Sequence, residues 1–258
     1  MELGLRGRKA LVTAASRGLG RACAEALAAE GAAVFIAARD ELALKELNQR
    51  IGGAGYRATD LSLSTEVEAL VAAASGALGG LDILVVNAGG APAGTLEQID
   101  DDAFEMALQL TTMSAVRLWR HAIPHLRHSD QGRIVNITSA FVKEPSSQLL
   151  LSNAFRPGVT AMAKMLSAEL APAGITVNCI APTALLTDRT RSIAASAAER
   201  SGRSIDEQLK VNAAAMPMGR YGEASELAAI CAFLCSAQAG YVSGQTIVID
   251  GGAGKSIF

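Results

Sequence analysis

The chain has 258 residues, of which 50% are hydrophobic, 19% charged and only 4% aromatic, and 23 Lys plus Arg stand against 25 Asp plus Glu for a net charge of −2. This balance excludes a disordered chain and gives no electrostatic footprint for nucleic acid. Charge or glycine interrupts every apolar run before it reaches bilayer length. The opening MELGLRGRKALV has no apolar signal core, and four cysteines are too few for a disulfide scaffold. The expectation is a cytoplasmic α/β protein, one domain over 1–258, with a small-molecule substrate and no nucleic-acid or membrane partner. Tyrosine, at three, and tryptophan, at one, are scarce.

Short β-like runs alternate with helical ones. Lys9–Thr13 is a strand that stops at a Gly-containing loop, and Leu19, Cys23, Ala26 and Leu27 then recur at helical spacing up to Gly31. Ala33–Ala37 is the next strand, and Glu41–Ile51 a helix closed by Gly52-Gly53. Tyr56–Thr59 is a brief strand, and Ser64–Leu78 is a helix ended by Gly79-Gly80. Ile83–Asn87 is wholly apolar up to its Asn, as in a strand buried on both faces of a parallel sheet. Asp100–His128 reads as one long helix and Arg133–Thr138 as a strand. Ser152–Ala171 is helical, with Pro157 better suited to its start than to its interior. Ile175–Ile180 is a strand, Glu223–Cys235 a helix and Gln245–Ile249 a last strand. Such alternation predicts a parallel sheet covered on both faces. The Ala-, Ser- and Arg-rich stretch 187–218 interrupts it and is expected to form a lid.

Thr13-Ala-Ala-Ser-Arg-Gly-Leu-Gly20 lies between the first strand and a helix start. Free N–H groups and the helix dipole make such a turn an anion site, although an ordinary tight turn gives the same local pattern. The segment resembles the TGxxxGxG loop of the short-chain dehydrogenase/reductase family, with Ala14 in place of the first Gly. The resemblance continues through Asn87-Ala-Gly89, Ile134–Ser139, Gly174–Asn178, Ala181-Pro182, Met218–Arg220, Ser243–Gln245 and Asp250–Gly252, in the family's order. It implies a single-domain Rossmann fold with seven parallel strands and helices on both faces. It also implies a dinucleotide held by Thr13, Ala15, Ser16, Arg17, Gly18, Leu19 and Gly20, with Asp60 and Leu61 at the adenine. Asn87, Ala88, Gly89, Arg156, Pro182 and Thr187 complete the implied cofactor set. Ala14 is tolerable at negative φ and costly at positive φ.

NAD-binding relatives of this fold read the ribose 2′-OH with an acidic residue at the end of the second strand. Here that end reads Ile36-Ala-Ala-Arg-Asp40, with Ala38 at the acidic position. Arg39 and Arg17 suit a 2′-phosphate, so NADP(H) is the expected cofactor. Solvated surface arginines are the plain alternative, and Asp40 reads as a helix cap.

Family members usually carry an Asn, Ser, Tyr, Lys tetrad, in which the Tyr is the acid or base. Alignment keeps Ser139 but puts Ser152 at the Tyr position, Arg156 at the Lys position and Thr111 at the Asn position. No tyrosine lies between Tyr56 and Tyr221, so no slipped register recovers one. An aliphatic hydroxyl is a far weaker acid than a phenol, and Arg stays protonated at working pH. Ser139, Ser152 and Arg156 therefore make an anion-stabilising pocket without the usual proton relay. Three readings stay open: an atypical NADP-dependent oxidoreductase acting on a carbonyl or alcohol, an NADP-binding sensor or partner subunit in which Ser152 merely caps its helix, and a non-redox enzyme. The expected assembly is a homo-oligomer, tetramer or dimer, built on faces holding Met113, Val116, Trp119, Met162, Met165 and Leu166; burial in the monomer would explain the same residues. His121, His125 and His128 share a helix face but suit the helix C-terminus better than a metal. Cys231 and Cys235 read as core, and the sequon at Asn136 is discounted as buried.

Overall fold

The computed structural model describes residues 2–147 and 149–257. Strand β1 (Lys9–Thr13) leads into α1 (Gly18–Ala29), β2 (Ala33–Ala38) into α2 (Glu41–Ile51), and β3 (Gly55–Ala58) into α3 (Ser64–Leu78). Strand β4 (Ile83–Val86) is followed by α4 (Asp101–Ala107) and α5 (Ser114–Leu126), and β5 (Arg133–Ile137) by α6 (Leu150–Leu170). After β6 (Thr176–Pro182), the two-residue β7 (Leu185–Leu186) precedes α7 (Asp188–Ser201) and α8 (Ile205–Ala214). The two-residue β8 (Gly222–Glu223), α9 (Ala224–Cys235) and β9 (Thr246–Ile249) complete the order.

Seven strands form one parallel sheet in the order β3-β2-β1-β4-β5-β6-β9. The order reverses between β1 and β4, and ligands of open α/β sheets bind at such a switch point, beyond the carboxyl ends of the strands. Side chains alternate across the sheet. Ala10 and Val12 face α1, α2 and α9 through Cys23, Leu27, Leu44, Leu47 and Leu227, while Leu11 faces α3, α5 and α6 through Val67, Leu70, Leu118 and Val159. Cys231 and Cys235 lie fully buried in the first of these layers, as the sequence suggests. Asn136 is likewise buried: its Oδ1 accepts the Trp119 indole N–H at 2.9 Å and its Nδ2 donates to the Asn178 carbonyl at 3.2 Å. No described helix is long and apolar enough to cross a membrane.

Three details correct the sequence reading. The long helix after Asp100 is interrupted by a π-helical turn, Leu108–Met113, which carries Thr111. Such turns hold one extra residue per turn and re-aim side chains, which apolar periodicity does not register. Helix α6 starts at Leu150 with Leu149 as its N-cap, so Ser152 is not the cap. The start is fixed from outside, by a parallel bridge between Gly94 and Leu149 and by the Asn153 side chain, whose Nδ2 donates to the Ser146 carbonyl at 2.5 Å. Pro157 consequently lies inside the helix, where its missing N–H leaves the Asn153 carbonyl without the usual bond. The stretch 187–218 contains the two helices α7 and α8, and the small β7–β8 sheet anchors its flanks, Leu185 pairing with Gly222 and Leu186 with Glu223.

Candidate active site

The loop after β1 is shaped by steric necessity. A Cβ on Gly20 would stand 2.3 Å from the Ala14 carbonyl oxygen and 2.7 Å from Asn87 Nδ2, so only glycine lets α1 come this close to the β1 and β4 ends. Gly18 has φ +58°, and Arg17 before it is extended. No side chain caps α1 among the described residues. Its first-turn N–H groups have no intrahelical partner and face the switch point, as an anion cradle requires. Ser16, Gly18 and Leu19 are partly exposed there, and Arg17 is exposed.

Thr13 and Ala15 have inward roles that the sequence reading did not foresee. Thr13 is fully buried. Its hydroxyl donates to the Asn87 carbonyl at 2.7 Å and accepts the Asn87 N–H at 2.9 Å. The bonds pin the β4 exit to the β1 exit and hold Asn87, Ala88 and Gly89 beside the loop. Ala15 is buried and donates its N–H to the Ala37 carbonyl at 3.0 Å. Ala14 has φ +48°, the unfavourable of the two cases set out above.

At the end of β2, Asp40 caps α2 by accepting the Ala43 N–H at 3.1 Å, which leaves Arg39 as the exposed charged residue nearest the strand end. The Asp60 carboxylate accepts from Ser62 N at 2.9 Å and Ser62 Oγ at 2.7 Å. These donors lower its pKa, and the positive charge of Arg39 adds to the effect. Leu61 is buried next to it. Arg39, Asp60 and Leu61 therefore border one corner of the cleft. Across the cleft, Pro182 ends β6, and Thr187 caps α7 by accepting the Thr190 N–H at 3.3 Å. The Thr187 methyl is the nearest neighbour of a Cβ built on Gly18, at 4.0 Å, so the α7 start faces the anion cradle.

Of the four tetrad positions, Thr111 and Arg156 line one small cavity at the carboxyl ends of β4 and β5, and Ser139 directly follows the end of β5. Ser139 is extended and nearly buried; its Oγ accepts the Phe141 N–H at 3.3 Å, and its own proton remains available to donate. Ser152 and Arg156 are one helical turn apart on α6 and so share a face. Among the described residues the Ser152 hydroxyl has no hydrogen-bond partner. Arg156 reaches under the sheet end, where Nη1 donates to the carbonyls of Ile137 and Thr138, each at 3.0 Å. Burial, and next the charge of Arg189, bring its pKa down to about 10. Behind it lies a cavity of about 10 Å³ lined by Thr111, Asn136, Thr138 and Arg156 among others, roughly the space of one water. Arg189, which the sequence reading did not single out, donates Nη2 to the Ala91 carbonyl at 2.9 Å. No motif or period marks it; only the fold of α7 brings it to the cleft. Among the described residues no cluster of His, Cys, Asp and Glu could hold a metal, and His128 Nδ1 bonds the Pro124 carbonyl at 2.8 Å.

An uncapped helix start at the switch point of a seven-stranded parallel sheet defines a dinucleotide-binding Rossmann protein. Comparison with known proteins agrees. A family model described as enoyl-(acyl carrier protein) reductase matches residues 13–254. The 3-oxoacyl-[acyl-carrier-protein] reductase of Vibrio cholerae is 32% identical over 251 residues, covering 97% of this chain and 98% of that one. L-fucose dehydrogenase of Mus musculus is 33% identical over 248 residues, covering 96% of this chain and 88% of that one. The crystal structure of L-sorbose reductase from Gluconobacter frateurii, complexed with NADPH and L-sorbose, superposes with a TM-score of 0.94 at 31% identity over all of both chains. The chain belongs to the short-chain dehydrogenase/reductase family of oxidoreductases.

The strained Ala14 gives a direct test. Ala14→Gly should stabilise the protein by about 1 kcal/mol, since a left-handed backbone costs an L-residue about 1–2 kcal/mol. For a chain of this size the melting temperature should rise by roughly 2–4 °C. An unchanged or lower melting temperature would mean that the loop does not hold Ala14 in strain.

Proposed function

We propose that the protein is an NADP(H)-dependent oxidoreductase for a carbonyl or alcohol substrate, with a proton-transfer site that works without tyrosine or lysine. The observation that carries this reading is the combination of an uncapped α1 start with Ser139 just after β5 and Arg156 bonded to the Ile137 and Thr138 carbonyls at that strand end. The family relative L-sorbose reductase binds NADPH in its structure, which supports the choice of cofactor. Gly18, Leu19 and Gly20 present N–H groups to the pyrophosphate, Arg17 and Arg39 read the 2′-phosphate, and Asp60 and Leu61 border the adenine. Asn87, Ala88 and Gly89 line the ribose side, with Pro182 and Thr187 opposite. When bound, the dinucleotide supplies or accepts the hydride.

The chain's own residues handle charge rather than protons. The Ser139 hydroxyl donates to the substrate oxygen. Arg156 keeps Nε and Nη2 for that oxygen or for ribose hydroxyls, and stabilises negative charge as it develops. Ser152 adds a second hydroxyl one turn away. None of these is an acid that titrates near neutrality, so water delivers the proton. In this reading the stretch 187–218 is the lid over the substrate. The protein is a cytoplasmic homo-oligomer, tetramer or dimer, for which exposed Met106 on α4 and Met165 on α6 offer apolar surface.

Two measurements test the proposal. Calorimetric titration should show NADPH binding more tightly than NADH. Arg17→Ala and Arg39→Ala should each weaken NADPH by about tenfold or more, as expected for one charged hydrogen-bonding group, and leave NADH nearly unchanged. Equal losses for both dinucleotides would show that the arginines do not read the 2′-phosphate, and binding of neither would end the oxidoreductase reading.

The triple change Thr111→Asn, Ser152→Tyr, Arg156→Lys should raise kcat on simple ketones by about 10²-fold or more, the typical contribution of a positioned acid. A folded, NADPH-binding triple variant with no gain over a ketone panel would show that the pocket has diverged beyond these positions.

A further inference from the structure

Arg117 lies on α5, and its half-buried guanidinium ties together two segments from different parts of the chain. Nη1 donates to the Ser62 carbonyl at 2.9 Å, and Nη2 donates to the Gln109 side-chain carbonyl at 2.8 Å. Ser62 belongs to the loop between β3 and α3, and Gln109 to the π turn Leu108–Met113. The planar fork of an arginine serves two such acceptors at once, whereas an ammonium is a point donor.

The Ser62 end of this tie is continuous with the Asp60–Leu61 corner of the cleft. Ser62 N and Oγ donate to the same Asp60 oxygen, and the Asp60 N–H donates to Glu66 Oε2 at 2.6 Å. Glu66 on α3 thus holds the entry of the loop, and Arg117 on α5 holds its exit. The Gln109 end is the fixed post. Ser114 Oγ donates to the Leu110 carbonyl, and a Cβ built on Gly89 would meet Leu110 Cδ2 at 3.9 Å, so the π turn packs over the β4 exit. Thr111 on the same turn is buried. A π turn re-aims side chains relative to a regular helix, and here it leaves the Gln109 side chain within reach of Arg117. The helices pack without the guanidinium, since α3 and α5 already share the apolar layer of Val67, Leu70, Leu118 and Trp119. What the guanidinium adds is a link between the two loops on either side of the Asp60 corner and the Gly89 turn.

We propose that Arg117 is a positioning residue for the adenosine half of the dinucleotide: it moors the Asp60–Ser62 loop to the π turn and so fixes the gap between Asp60–Leu61 and Asn87–Gly89 that the adenosine enters. This rests on the reading above that the cleft takes NADP(H).

Calorimetry with NADPH and with its two halves, adenosine 2′,5′-bisphosphate and reduced nicotinamide mononucleotide, tests it by binding alone. Arg117→Met keeps an apolar stem and loses both bonds. It should weaken NADPH and the bisphosphate by about tenfold and change the mononucleotide by less than about threefold. Gln109→Leu reads the same tie from its other end and should weaken the bisphosphate by about threefold, again sparing the mononucleotide. The double variant should lose no more than Arg117→Met alone, because Gln109 acts through the guanidinium. Arg117→Lys should recover part of the loss, since it keeps the charge and one donor but not the fork. Equal losses for both halves would overturn the proposal, because the arginine would then only support the fold. So would losses that add in the double variant. If the wild type binds the bisphosphate and NADPH, and Arg117→Met binds them equally well, the proposal falls and the cofactor reading stands. If the wild type binds neither half nor NADPH, the cofactor reading falls and takes the proposal with it.

Discussion

The chemistry of this protein depends on how one guanidinium is held. Arg156 hangs from two backbone carbonyls at the end of β5, 3.0 Å from each, and no carboxylate neutralises it. A lysine in the same place would act beside a tyrosine and help that phenol lose its proton. Arg156 has no phenol to act on, and it keeps its own proton until pH is far above neutral. What remains is a fixed positive charge at the end of β5, next in the chain to Ser139 and one helical turn along α6 from Ser152. In the function proposed above, such a site orients an oxygen and stabilises an anion, and it leaves proton delivery to water.

The cofactor frame around this charge depends on close packing rather than on unusual chemistry. Gly20 lets α1 approach the β1 and β4 ends. The Thr13 hydroxyl bonds both the N–H and the carbonyl of Asn87, so the exits of β1 and β4 are tied to each other. Ala14 shows that the frame tolerates some strain, because an ordinary L-residue sits there in the left-handed region. The Asn136–Trp119 bond links β5 to α5 in the layer beneath the site, which places the protein's one tryptophan in a supporting role.

The alternation of strands and helices was legible because a buried parallel strand and an amphipathic helix leave different periods, as in Ile83–Val86 against Ser64–Leu78. Motif order then led to the sheet and the cradle, and the missing tyrosine was readable from the family motif set against a chain with no tyrosine between Tyr56 and Tyr221. Features set by tertiary contacts were not legible. The π turn at Thr111 leaves the apolar stripe almost unchanged. The α6 start is imposed by Gly94 and Ser146, which lie outside the helix. The sequence suggested that Thr13 touches the cofactor, but a buried hydroxyl bonded to Asn87 acts within the fold. Arg189 looked like one of several arginines in an Ala-rich stretch, and only the path of α7 sets it against Gly90.

The central claim is that no group in the site titrates near neutrality, and the pH profile of kcat tests it most directly. Thr111, Ser139 and Ser152 do not ionise in the working range. The pKa of Arg156 lies below its ordinary 12.5, at about 10, so its cationic form persists below that pH and is lost above it. The account predicts a kcat that is flat from about pH 6 to about pH 9 and falls at higher pH as Arg156 loses its charge. An inflection between about pH 6 and pH 9 would reveal a tuned acid or base in the site and contradict the account.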